Sequence, residues 1–150
     1  MTFEYTNLSL SCIENGSIFK NTDDNPVSCG HAPFKKQNIY DESLFIKPTE
    51  KGCNSLFSYQ INGEIVSNIN NSEFDKERVE HTIKFLNLNC NRLIRERQEI
   101  ILKGYEIIRE LQDDLEVLSN FFELEFEKVN DKYVFPFISA RKEHYSLFMK

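Results

Sequence analysis

The chain has 150 residues, a formal net charge of −6 and a pI of about 5.1; 40% of it is hydrophobic, with 13 Phe and no Trp. That is enough apolar material for a folded core and argues against global disorder, and the length suits one domain or a small domain with an extension. An acidic balance without a long basic run argues against nucleic acid as the main partner, and no run approaches the roughly 20 apolar residues that span a bilayer.

Residues 1–10 alternate loosely through Phe3, Tyr5, Leu8 and Leu10 and read as a short strand or an extended lead-in. The start, Met1-Thr2-Phe3-Glu4-Tyr5, lacks the basic residues and apolar core of a signal peptide. Residues 11–33 are rich in Asn, Asp, Gly and Ser, which favour turns, with Ile18-Phe19 and Val27 as anchors of two short strands. At the Cys29-Gly30-His31 elbow Gly30 is free to take positive φ. The segment Phe34 to Phe45 predicts a helix of two to three turns, ended by Pro48 and Gly52. Phe57, Tyr59 and Ile61 then alternate, Asn62-Gly63 is a strong hairpin turn, and Ile65 resumes the pattern.

The character changes at Asn70-Asn71-Ser72. Ser72 is an N-cap candidate, Glu73 and Asp75 suit a first helical turn, and Val79, Ile83 and Leu86 form a stripe. Asn87-Leu88-Asn89 marks a pause or bend. A longer helix is predicted from about Cys90 to Asn120, where Ile94, Ile101, Ile108, Leu115 and Phe122 recur every seven residues. The seam is imperfect, because the companion positions Arg97 and Gly104 are not apolar. Leu93, Ile100 and Ile107 widen the stripe into a face suited to packing on a globular partner or another helix. Leu124 and Phe126, then Tyr133, Phe135 and Phe137, alternate around Val129-Asn130-Asp131-Lys132 and predict a terminal β-hairpin. The tail from Ala140 to Lys150 is amphipathic but short.

The chain carries no P-loop, dinucleotide fingerprint, His-Glu-x-x-His or nucleophile elbow. Cys12, Cys29, Cys53 and Cys90 are too widely spaced for the disulfide framework of a secreted mini-protein and read as reduced thiols in a cytosol. His31 lies two positions from Cys29, but adjacency across a glycine turn does not make a catalytic dyad.

The run Asn25-Pro26-Val27-Ser28-Cys29-Gly30-His31, with Phe34 and Ile39 after it, resembles the RING and U-box family of ubiquitin ligases. In the RING register the ligand positions hold Cys12 and Asn15, then Cys29, His31, Phe34 and Gln37, then Cys53 and Leu56. Half are non-ligands, the pattern of a U-box, which keeps the RING backbone without zinc. The resemblance implies a module that holds a ubiquitin-loaded conjugating enzyme and acts by positioning, with no covalent intermediate, no catalytic side chain and no cofactor. It implies a docking surface with Ile13 and Glu14 in a first loop, Lys36 and Ile39 on a central helix, and Asn54 and Phe57 in a second loop. If zinc were held, Cys29, His31 and Cys53 would be its ligands, one short of the four protein ligands a structural site requires.

The expected fold is therefore α+β. A U-box/RING-like module of short β-hairpins and a central helix at residues 8–72 would be followed by a long-helix extension with a terminal hairpin at 73–150. The expected function is a divergent ubiquitin ligase in the cytosol, a host's cytosol if the protein is a translocated effector. Its expected partners are a conjugating enzyme, ubiquitin and an unidentified protein substrate, without nucleic acid or membrane. The alternatives are a non-enzymatic interaction module using the 90–120 helix face, or a small zinc-binding adaptor.

Overall fold

The computed structural model describes residues 40–129, 132–133 and 135–149. The lead-in, the strands around Ile18-Phe19 and Val27, and the Cys-Gly-His elbow lie outside them. The architecture is α+β: four α-helices with two small antiparallel hairpins among the described residues. No RING or U-box module is visible there. Of the central helix expected over 34–45, residues 40–45 are not helical. Asp41 opens a turn instead, its Oδ1 accepting from the Ser43 backbone N–H at 2.9 Å and the Ser43 hydroxyl at 2.6 Å. Asp41 offers the backbone a local partner that competes with the helix ladder.

The described residues form two compact units, 40–58 with 65–94 and 59–64 with 95–149. A short 3-10 turn at Cys53–Leu56 in the first leads into β1 (Phe57–Tyr59), whose last residue and the turn after it are counted with the second, and β1 pairs with β2 (Ile65–Ser67). The hairpin forms where the alternation placed it, but its turn runs from Gln60 to Gly63, closed by the Gly63 N–H on the Gln60 carbonyl at 2.9 Å. Gly63 sits at φ +87°, the left-handed position that follows such a turn in a bulged hairpin loop. Ile61 is consequently in the turn and exposed.

Helix α1 (Glu73–Leu86) starts at the predicted cap, where the Ser72 hydroxyl accepts from the Asp75 N–H at 3.1 Å. It ends at Asn87, left-handed at φ +52°, and the Leu88 N–H closes back onto the Ile83 carbonyl at 3.0 Å. Its buried face is Val79, Thr82 and Phe85, a rotation away from the stripe read in the sequence. Thr82 belongs inside because its hydroxyl accepts from the buried Ile46 N–H at 2.9 Å. Phe85 is held among Tyr40 and Phe45, with ring centroids 5.4 and 5.5 Å away. Asn89 extends the edge of β2 by accepting from the Ile65 N–H and donating to the Ile65 carbonyl, both at 2.8 Å. Arg78 clamps Glu50 at 2.6 Å.

Helix α2 (Asn91–Leu111) stops nine residues short of the predicted end at Asn120. Gln112-Asp113 forms a turn, and Asp114 caps a separate helix α3 (Leu115–Glu125) by accepting from the Val117 N–H at 3.1 Å. The heptad series is thereby cut. Ile101 and Ile108 stay buried on α2, Leu115 is 76% exposed, and Phe122 returns to the core on α3. Helix α3 also consumes Leu124, expected in a strand. Leu118 and Phe122 are buried four apart, and Phe126 stacks on Phe122 at 6.5 Å, so the helical period wins over the alternation. The terminal hairpin survives as β3 (Lys128–Val129) and β4 (Lys132–Tyr133), in register Lys128↔Tyr133 and Val129↔Lys132. Helix α4 (Ile138–Tyr145) follows Phe137, where strand character had been expected. No helix of the described residues is long and apolar enough to cross a membrane.

Candidate functional site

In the second unit the chemistry-bearing side chains converge on α4. Its last turn grips the hairpin tip. Glu143 Oε2 accepts from the Tyr59 N–H at 2.9 Å, and His144 Nε2 lies 2.8 Å from the Tyr59 carbonyl. A carbonyl only accepts, so Nε2 carries the proton. In the neutral imidazole Nδ1 is then an acceptor, and the Tyr105 hydroxyl lies 2.7 Å from it. Burial raises the Tyr105 pKa, which keeps that hydroxyl protonated. On the other side of the tip, the buried Arg97 donates from Nε to the Gly63 carbonyl at 2.6 Å. The apparent flaw in the heptad seam is thus a backbone anchor.

Tyr145, fully buried, donates its hydroxyl to the Ile100 carbonyl at 2.7 Å and packs with Ile108, Leu118 and Phe122. Its ring lies directly against Gly104, the second flaw in the seam. Arg141 is buried as well. It pairs with Glu125, donates from Nε to the Pro136 carbonyl at 2.9 Å, and lies over the Phe135 ring at 5.3 Å. Burial pulls its pKa below the ordinary arginine value.

With both ring nitrogens of His144 bound, the arrangement holds backbone in place and does not present a base to solvent. Replacing His144 with Ala is expected to cost about 2 kcal/mol, since the Tyr105 hydroxyl and Tyr59 carbonyl lose their partner together. Urea denaturation of the two proteins measures it, and a cost below about 0.5 kcal/mol would place the hairpin tip under other control.

The other histidine of the described residues, His81, is stacked on Phe85 with centroids 6.1 Å apart and lies near the Asp41 N–H at 3.5 Å. Among the described residues no three His, Cys, Asp or Glu side chains come together as a metal-binding cluster. The positions expected to dock a conjugating enzyme divide. Ile13, Glu14, Lys36 and Ile39 lie outside the described residues, as do the zinc candidates Cys29 and His31. Asn54 is exposed on the 3-10 turn, and Phe57 is half-buried on β1. The Cys53 thiol donates to the Pro48 carbonyl at 3.4 Å. Sequence reasoning passed over Tyr105, Arg141, Glu143 and His144. Tyr105 and His144 stand 39 positions apart with no local motif to join them.

The chain matches no protein-family model. It is 31% identical over 134 residues to the Retron Vc95 putative HNH endonuclease of Vibrio cholerae serotype O1 biovar El Tor. That match covers 89% of this chain and 58% of the relative, so the chain spans less than two thirds of the relative's length. The similarity overturns the ubiquitin-ligase resemblance. It extends over nearly the whole chain, whereas the RING register rested on a few ligand spacings, half of them without ligands. The conjugating enzyme and ubiquitin fall with it as partners, and so does the exclusion of nucleic acid. Net charge is a sum over the chain and does not describe the local surface that a phosphate backbone meets.

Proposed function

We propose that this chain acts on nucleic acid as an endonuclease-type protein, and that residues 40–149 are its framework rather than its hydrolytic centre. The 31% identity over 134 residues carries the reading. Phosphodiester hydrolysis needs a base to activate water and an electrophile, commonly a divalent metal, to take up charge on the phosphate. Three observations support the framework role: both nitrogens of His144 are hydrogen-bonded, His81 is stacked on Phe85 with its Nε2 3.5 Å from the Asp41 N–H, and no group of three His, Cys, Asp or Glu among the described residues could hold a metal. Of the chain's three histidines, His31 lies outside that framework, near Cys29 in sequence.

The test incubates the purified chain with supercoiled plasmid, single-stranded DNA and RNA in magnesium, manganese or zinc, with chelator controls. Binding is measured alongside, from about 50 to 200 mM salt. The expected result is binding that weakens steeply with salt and cleavage that chelator stops. His31→Ala should remove cleavage and His81→Ala should leave it unchanged. Binding without cleavage would restrict the chain to holding nucleic acid. No binding to any of the three at low salt would overturn the reading.

A further inference from the structure

Helix α3 exposes more apolar surface than its core contacts explain. Leu115 and Leu124 are 76% and 62% exposed, although they belong to the same helix as the buried Leu118 and Phe122. Between α3 and the chain after α4 runs a groove of about 630 Å³, floored by Leu118, Phe122 and Phe126 and walled by Leu115, Phe148 and Met149. That volume lies in the range of about 300–1,000 Å³ typical of ligand-binding clefts.

The charge on the described lining of the groove is acidic. Among the described residues its one ionisable lining residue is Glu123, which also lines a neighbouring groove of about 500 Å³ with Asn120, Leu124 and Glu127. Among the described residues neither groove is lined by Lys or Arg, and α3 itself contains none. We propose that this acidic-edged apolar groove docks a basic amphipathic helix from a protein partner. Leucine-type anchors at i, i+3, i+4 and i+7 would fill the floor while flanking Lys or Arg meet Glu123 and Glu127. The charge that attracts such a helix repels the other occupants. A nucleic acid would bring phosphates to the carboxylates. A second copy docked by twofold symmetry would set the same acidic edge against itself. The inference stands apart from the endonuclease reading, since it assigns no catalytic residue and needs no metal.

The experiment uses the full chain and three synthetic helical peptides at physiological ionic strength. One carries Leu at i, i+3, i+4 and i+7 with Lys elsewhere, the second is a scrambled isomer of it, and the third replaces Lys with Glu. The Leu/Lys helix should bind about tenfold or more tightly than its scrambled isomer, with the Leu/Glu helix weakest. Leu115→Asp and Met149→Asp should each weaken it about tenfold with the circular dichroism unchanged, since both side chains are solvent-exposed. Glu123→Lys should weaken it about fivefold and narrow the preference for Lys over Glu. Equal binding of the scrambled isomer, or undiminished binding to folded Leu115→Asp, would overturn the proposal. So would sedimentation showing the chain to be a dimer that Leu115→Asp dissociates, because the occupant would then be a second copy.

Discussion

Gly104→Ala should destabilise the protein by about 2–3 kcal/mol, the reverse of what the same change does on an open helix face. In an exposed helix interior, alanine gains about 1 kcal/mol over glycine by reducing backbone entropy in the unfolded chain. Here a Cβ would enter the space held by the Tyr145 hydroxyl and ring. Tyr145 cannot yield cheaply. It is fully buried, its hydroxyl is bonded to the Ile100 carbonyl at 2.7 Å, and its ring packs on the Phe122 and Leu118 cluster. A denaturation midpoint shift gives the sign. The double variant Gly104→Ala with Tyr145→Leu should cost less than the sum of the two single changes, because the smaller side chain leaves room for the methyl. A stabilised Gly104→Ala protein would show that α2 and α4 do not approach as closely as the structure places them.

The second large effect belongs to Glu125. Its pairing with Arg141 is nearly shut off from water, with side-chain exposures of 12% and 10%. Removing one member of such a pair leaves a charge that cannot be rehydrated, and Glu125→Ala is expected to cost about 3–5 kcal/mol. Glu125→Gln should cost less, since the amide oxygen still accepts a hydrogen bond. Replacing both, as Arg141→Met with Glu125→Leu, should restore most of the loss, because an apolar pair of similar bulk escapes the desolvation cost. The depressed pKa of Arg141, caused by burial, fits a cation whose solvation is already poor. If the double variant proves as unstable as Glu125→Ala, the dominant contribution of Arg141 lies in its bond to the Pro136 carbonyl and its contact with Phe135.

Several local features were legible because short-range chemistry fixes them. Ser72 caps α1 with the acids it needs beside it, and Asn87 stops the helix where the Asn-Leu-Asn run marked a pause. The hairpin over 57–67 follows from alternation and a glycine. The long helix misled in a specific way. A seven-residue repeat continued across Gln112-Asp113-Asp114, yet Asp114 draws a backbone N–H to its own carboxylate and starts a new helix. Leu115 then carries the heptad letter of a core residue on an exposed surface. Arg97 and Gly104 show the opposite error. They look like defects in a seam, while one binds the Gly63 carbonyl and the other makes room for Tyr145. The RING register failed for a further reason: Cys and His spacing identifies a metal site only when enough positions are true ligands, and half were not.

Short-range chemistry was enough to specify an α+β chain, the Ser72 cap, the first hairpin and the amphipathic helix after Cys90. Those signals act within a few residues, through backbone partners and the period of apolar side chains. The pairing of His144 with Tyr105 and Tyr59, the burial of Arg141 against Glu125, and the opening of a groove along α3 were decided by tertiary structure alone. Each joins residues distant in sequence or surrounds a helix face with others. A hydrogen bond between positions 39 apart leaves no periodic trace, because its energy depends on where the chain returns and not on what neighbours it along the way.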